Sequence, residues 1–249
     1  MFSGIKREGH EIRVLLRSIP TPIVTLFAVS VIMMNLLANK SIALSVDWLA
    51  LDCGIIVSWA SFLSMDIITK HFGPKAATEV SIVAVTVNLL CCLFFYIAGQ
   101  IPGMWAEAYV DGSEAIINTA LDNTVSGTWY VLLGSTIAFI TSAFINNFSN
   151  FSIGKLLRLK PDGFGSYALR TYVSTAIGQF SDNLVFALIV SHVFFGWTLL
   201  QCFTCSLTGM VIELLLEVVF SPIGFRICKR WQAENVGKEY FELRGECGK

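Results

Sequence analysis

Apolar residues fill six stretches of this chain almost without a break, and polar residues collect in the segments between them. About 20 mostly apolar residues suffice to cross a bilayer as a helix. The pattern predicts such helices near Pro20 to Ala38, Leu49 to Ile68, Thr78 to Ile97, Thr128 to Phe148, Tyr172 to Phe194 and Trp197 to Phe220. The longest connection runs from Gly99 to Gly127. Inside it, Ala115, Ile116, Asn118 and Thr119 recur as on a short amphipathic helix, with Ser113 and Asp122 as boundary signals. That helix is either an external lid or a solvated surface element. Lys160-Pro-Asp-Gly163 is a turn by composition, and the link His192 to Gly196 is short enough to join two adjacent antiparallel helices. The expectation is one all-α integral membrane domain covering residues 1–249.

Composition agrees with that pattern. Hydrophobic residues make up 55% of the 249 residues, charged residues only 14%, and the mean hydropathy is +0.68. Charged residues alone are about a quarter of an ordinary soluble domain. Net charge is -1 and the basic residues form no stripe, so no nucleic-acid partner is expected. Their placement orients the chain. Lys6, Arg7, Arg13 and Arg17 precede the first span; Lys70 and Lys75 separate the second from the third; Lys155, Arg158, Lys160 and Arg170 surround the fourth-to-fifth loop. Arg226 through Lys249 follow the last span, and Lys40 alone falls on the other side. The positive-inside rule then puts both termini in the cytoplasm. The first apolar run begins late and is followed by Asn39-Lys40-Ser41, not by a small-residue cleavage site, so it is expected to remain as a span.

The seven cysteines are mostly in or beside spans. Cys202-Phe-Thr-Cys205 has the spacing of a redox motif, but Cys91 and Cys92 are adjacent buried neighbours and offer no second exposed pair. Packing is the simpler role. Three spans followed by three more of opposite orientation are compatible with a 3+3 inverted repeat. Asn35 followed by Asp66 in the next span is echoed by Asn147 followed by Asp182.

The candidate chemistry lies inside the spans, where ionisable groups are expensive and usually functional. Thr175, Gln179, Asp182 and Phe186 are spaced to share one helical face, beside Ser174 and Asn183. A carboxylate, an amide, a hydroxyl and an aromatic ring suit a heteroaromatic base with N–H groups. The plainer reading is that Gln179 and Asp182 make interhelical hydrogen bonds worth about 1 kcal/mol each. Asp66 lies near the cytoplasmic end of the second span, where Lys70 is placed to neutralise it or the helix C-terminus. Asn35 lies deep in the first span, Asn88 is central in the third, and Asn146 and Asn147 close the fourth. Glu213 and Glu217 are one turn apart on the sixth, open to proton coupling or to a salt bridge with Lys70. Three scattered histidines and lone cysteines offer no metal-ligand spacing, and no phosphate-binding loop is present.

Asn35-Leu-Leu-Ala-Asn-Lys40, Asp66-Ile-Ile-Thr-Lys-His-Phe-Gly73-Pro-Lys-Ala-Ala77, Ala138-Phe139, Arg170-Thr-Tyr-Val-Ser174 and Gln179-Phe-Ser-Asp182-Asn-Leu-Val-Phe186 resemble the queuosine-precursor transporter family, also called the vitamin uptake transporter family. The likeness runs from about Ile23 to Pro222. It implies a six-span prokaryotic cytoplasmic-membrane protein for uptake of 7-deazaguanine bases such as 7-cyano-7-deazaguanine, 7-aminomethyl-7-deazaguanine or queuine, salvaged into tRNA. By position, Asn35, Asp66, Arg170, Ser174, Gln179 and Asp182 are the matching motif residues. The chain departs from the pattern at Lys70, where many members carry Glu, near Ala143 and Asn146, where they carry Gln and Asp, and near Glu213, where they carry a base.

The leading expectation is a permease that binds a modified purine base midway between the first, second, fourth and fifth spans. Asp182 or Asp66 accepts its N–H groups, Gln179 or Asn35 addresses its oxygen edge, Phe186 or Trp59 stacks, and Asn183 and Ser174 complete the lining. Lys70, Arg170, Glu213 and Glu217 are the candidates for coupling or internal pairing. No cofactor and no metal are expected; the partners are the small-molecule substrate and the lipid bilayer, with a homo-oligomer left open. Two alternatives stand beside it. One is a substrate-binding membrane subunit that needs a separate energising module; the other is an intramembrane enzyme built on Ser174 or Ser181 with His71 or His192.

Overall fold

A computed structural model describes residues 2–106, 112–156 and 164–245, with the backbone alone at 2–7, 146–147, 150–151, 154–156 and 164–171. Ten helices follow in chain order among the described residues: α1 (Phe2–Ser18), α2 (Thr21–Leu37), α3 (Ile55–Phe72), α4 (Pro74–Gln100), α5 (Glu114–Ser126), α6 (Thr128–Leu156), α7 (Phe164–Phe186), α8 (His192–Phe195), α9 (Leu199–Ala233) and α10 (Lys238–Leu243). Between α2 and α3 a small antiparallel hairpin pairs β1 (Ser41–Ile42) with β2 (Leu51–Asp52). The fold is otherwise helical.

Each of the six apolar stretches is helical, as α2, α3, α4, α6, α7 and α9, though the ends differ from those read in the sequence. Among the described residues, four segments are long and apolar enough to cross a membrane: Pro74–Gln100, Glu114–Ile145, Tyr172–Phe195 and Leu199–Ala233. The end of α1 and α2, bent by 106° across Ile19 and Pro20, make a fifth when taken together. The 18 residues of α3 include Asp66, Lys70 and His71 in its last two turns, which lowers its apolar character. Outward-facing residues such as Phe94, Ile140 and Phe144, exposed by 66%, 62% and 74%, suit lipid and not water. This is a multi-pass membrane protein.

Local chemistry explains the shifted ends. Asp52 Oδ1 accepts the Gly54 N–H at 2.7 Å and Cys53 N–H reaches Lys40 O at 2.8 Å, so the chain from Leu49 forms a hairpin and a helix cap before α3 begins at Ile55. Gly73, at φ +90°, ends α3, and Pro74 opens α4 at the first helical position, where its missing N–H costs nothing. Helix α5 runs past Asp122 into α6, with Gly127 N–H bonded to Asn123 O at 3.0 Å. Asp122 does not end it; its carboxylate accepts the Trp105 Nε1–H at 2.8 Å. Residues Ala187–Ser191 widen to i→i+5 hydrogen bonding after α7, and Gly196, at φ +69°, turns the chain toward α9. Pro222 lies inside α9 and removes the bond to Val218 O.

The chain divides into two compact units. One is formed by the described residues of Met1–Met34, Ile56–Cys91 and Leu216–Lys249. Its core joins Val14, Leu15 and Ile19 with Phe27, Ile67, Ile68, Phe72, Val80, Trp231 and Tyr240. Here α1 packs on α10, and Lys75 Nζ reaches Glu11 Oε2 at 3.0 Å, tying the start of α4 to α1. The other unit is formed by the described residues of Asn35–Ile55 and Cys92–Leu215. In it α6 packs along α7. The hairpin loop is held by Gln201 Nε2 to Asp47 O at 2.9 Å and Thr204 Oγ1 to Trp48 O at 2.7 Å. Cys202, fully buried, packs with Ala50, Ala187 and Trp197 against Cys205, which gives the Cys202-Cys205 pair a packing environment and not a redox one.

Two consequences are measurable. Gly237 has φ +86° and a Cβ there would lie 2.3 Å from Phe72 Cε1. Gly237→Ala is expected to cost about 1–2 kcal/mol for the left-handed backbone and about 1–3 kcal/mol for overpacking, read as a lower melting temperature in detergent; no change would contradict this core. Burial lifts the Asp52 carboxyl from 3.8 to about 6 even though the Gly54 N–H opposes the shift. Because the folded value is the higher one, the folded protein binds the extra proton, and stability is lost as pH rises from about 4 to 6. Asp52→Asn keeps the cap acceptor and should flatten that decline; an unchanged slope of melting temperature against pH would assign it elsewhere.

Candidate functional site

On α7 the fourfold and threefold spacings align Gln179, Asp182 and Phe186 along one side, as the sequence predicts. The Ser142 hydroxyl of α6 lies 3.0 Å from Phe139 O and is also within hydrogen-bonding reach of Asp182, so its single proton is shared. Asp182 Oδ1 and Gln179 Oε1 are both buried, and neither receives a hydrogen bond from any described residue. They are two acceptors without donors.

Asn183 faces α9. Its Nδ2 donates to Glu213 Oε2 at 3.3 Å, and a Cβ on Gly209 would lie 2.8 Å from that same nitrogen. Glycine at 209 therefore lets Asn183 lie against α9 and reach Glu213 one turn on. Glu213 is 7% exposed. The charges that bear on it are Asp182 and, more weakly, Asp52, both of its own sign, and no described cation pairs with Asp182 or Glu213. Asn35, near the end of α2, and Ser174, on α7, are buried at 5% and 2% exposure and are both engaged by neighbours. Phe186, partly buried, packs against the cluster of Ala38, Val131 and Val190. The side chains of Arg170, Asn146 and Asn147 lie outside the described residues.

The other unit holds Asp66. Its Oδ2 pairs with Lys70 Nζ at 2.5 Å across one turn of α3, and Glu217 of α9 bears on the pair. Asp66 and Glu217 line a narrow cleft together with Trp59, Phe62, Leu63, Leu216, Phe220 and Ser221. Trp59 and Phe220 stack within it, ring centroids 4.8 Å apart and planes at 19°. Glu213 and Glu217, one turn apart on α9, thus fall in different units.

The matched family profile, described as "Putative vitamin uptake transporter", covers residues 52–227, more than half of the chain. The chain belongs to the vitamin uptake transporter family. No curated protein and no solved structure matched it. The matched range takes in Asp66, Ser142, Gln179, Asp182, Asn183, Glu213 and Glu217.

A vitamin uptake transporter has a small-molecule substrate, and unpaired acceptors among apolar helices are what a polar solute can satisfy. The family and the membrane helices speak for transport rather than catalysis. The histidines of the enzyme alternative are structural: His71 Nε2 is 2.9 Å from Val236 O among Phe72, Trp231 and Phe241, and His192 Nδ1 is 2.5 Å from Trp197 O. Ser181 donates to Ile177 O at 2.7 Å, a bond within its own helix. Ser142, Gly209 and Phe220 were not singled out from the sequence. Gly209 carried a usable signal, since a glycine inside a span marks close helix approach; hydroxyls such as Ser142 are too common in spans to stand out.

Satisfied and unsatisfied groups should respond differently to mutation. Asn183→Ala leaves Glu213 buried without its donor and should cost about 1–3 kcal/mol. Asp182→Asn breaks no ion pair among the described residues and should leave the melting temperature unchanged or raised. Thermal unfolding in one detergent ranks the two, and the opposite order would contradict this polar arrangement.

Proposed function

We propose that the chain is an uptake transporter for queuosine precursors, 7-deazaguanine bases such as 7-cyano-7-deazaguanine, 7-aminomethyl-7-deazaguanine or queuine, in a prokaryotic cytoplasmic membrane. The observation that carries the reading is the pair of donor-less acceptors one turn apart on α7, Asp182 Oδ1 and Gln179 Oε1. A guanine-type edge brings N–H groups of the ring and the exocyclic amine side by side. Asp182 accepts two of them, and Gln179 serves both as acceptor and, through its amide nitrogen, as donor to the carbonyl oxygen of the base. Ser142 holds the carboxylate from α6, and Asn183 joins the site to α9 through Glu213.

The transporter is proposed to cross the membrane six times with both termini in the cytoplasm. In support, the connections assigned to the cytoplasm hold 16 of the 17 Lys and Arg residues, and Lys40 alone falls on the other side. Among the connections assigned to the outer side, Tyr130 Oη meets Asn39 Oδ1 at 3.3 Å and Gln201 meets Asp47.

Uptake of labelled 7-cyano-7-deazaguanine by cells and by proteoliposomes tests the reading. Asp182→Asn and Gln179→Leu should each lower uptake at least tenfold while leaving the protein folded and in the membrane. Full uptake by Asp182→Asn would remove that carboxylate from the site. Uptake in cells but none in proteoliposomes, with binding intact, would instead assign the chain as the substrate-binding subunit of a larger assembly.

A further inference from the structure

Helix α1 is two-sided. Steps of four, three and four residues place Lys6, His10, Arg13 and Arg17 along one face of it. Val14, Leu15 and Ile19 are buried in the core of their unit with Leu16 packed against it, whereas His10, Arg13 and Arg17 are exposed. No described acid pairs with Arg13 or Arg17; Glu11, off that face, reaches Lys75 instead. The helix leads into α2, whose 17 residues include no charged side chain and reach the lower limit for a span. The bend between the two is 106°, more than a right angle, so the chain followed back from Pro20 turns slightly toward the bilayer instead of running into solution. Glu8–Ser18 is about 16 Å long at about 1.5 Å per residue. With α2 along the membrane normal, that length changes depth by about 5 Å, within a headgroup layer about 5–8 Å thick.

We propose that α1 is a membrane-surface anchor, its basic face docked on the phosphates of anionic lipids in the cytoplasmic leaflet. An interfacial helix is ordinarily held by sinking its apolar side below the headgroups. Here the protein core takes that side, so contact with lipid falls to the cations and follows the charge of the leaflet. Each basic residue at an anionic surface strengthens the attraction about fivefold, whereas zwitterionic lipid offers no net charge to meet it. The anchor holds the start of α2 and, through the pair of Glu11 with Lys75, the start of α4. It rests on the orientation proposed above and not on the identity of the solute carried.

The full chain reconstituted into phosphatidylcholine vesicles tests the proposal, with spin-labelled phosphatidylglycerol or spin-labelled phosphatidylcholine added as the probe. The fraction of each label immobilised by the protein gives its relative affinity, and identical leaflets make the reading independent of orientation. The unaltered chain should prefer the phosphatidylglycerol label at least threefold, and about 0.5 M sodium chloride should remove at least half of that preference by screening. Arg13→Gln combined with Arg17→Gln should remove as much without salt, while Arg13→Lys combined with Arg17→Lys should retain it. Arg230→Gln combined with Lys238→Gln takes away the same charge from groups already beside Glu234 and Glu242, and should leave the preference in place. All these side chains are exposed, so melting in phosphatidylcholine should be alike for every variant. A preference that survives salt, or is unmoved by the Arg13 and Arg17 glutamines, would overturn the anchor. An equal loss in the Arg230 and Lys238 control would assign the effect to net charge and overturn it too. Displacement of the label by millimolar inorganic phosphate at constant ionic strength would assign the face to a soluble anion, again against the proposal.

Discussion

A carboxylate among apolar helices has no water to fall back on, and much of the interior of this protein is arranged around that constraint. Moving such a charge to the middle of a span costs about 3 kcal/mol even after the membrane adapts, so each acid must be paired, hydrogen-bonded or answered by a ligand. The chain uses different solutions for different acids. Asp66 takes Lys70 as an ion-pair partner. Glu213 takes the amide of Asn183, brought close by Gly209. Asp182 receives only a shared hydroxyl proton from Ser142 and keeps one oxygen buried and unanswered.

The aromatic groups follow a related division. His71, Phe72, Trp231, Tyr240 and Phe241 pack in a closed cluster, mostly edge to face with Phe72 and Phe241 stacked, that locks α3 to the C-terminal helices, and their role is cohesion. Trp59 and Phe220 stack where a cleft reaches them, beside carboxylates.

Much of the architecture was legible in the sequence because lipid imposes one dominant rule: an apolar run of sufficient length becomes a helix. The ends were less legible, since they are decided by single hydrogen bonds and by propensities that hydropathy ignores. Asp52 capping Gly54 delays α3, polar but helix-compatible residues extend α7 back to Phe164, and α9 carries on through Pro222 to Ala233. Helix α1 was missed altogether because its apolar residues, Val14 and Leu15 among them, occupy one face between charges. In the candidate site, the alignment of Gln179 with Asp182 follows from helical periodicity within one element. The partners Ser142 and Glu213 come from other helices, and only packing reveals them. Phe186 shares that side, and its packing against the cluster of Ala38, Val131 and Val190 is likewise visible only in three dimensions.

The central claim is that the buried acceptors of α7 are completed by a 7-deazaguanine base, and ligand-dependent thermal stability of the purified protein tests it most directly. A base that binds only the folded state, present at 100 times its dissociation constant, adds about 2.7 kcal/mol. The account predicts a raised melting temperature with 7-cyano-7-deazaguanine or queuine, little with adenine, and loss of the cyano base's effect in Asp182→Asn. Folded protein that is stabilised by none of the deazaguanines, or stabilised equally with and without the Asp182 carboxylate, would contradict it.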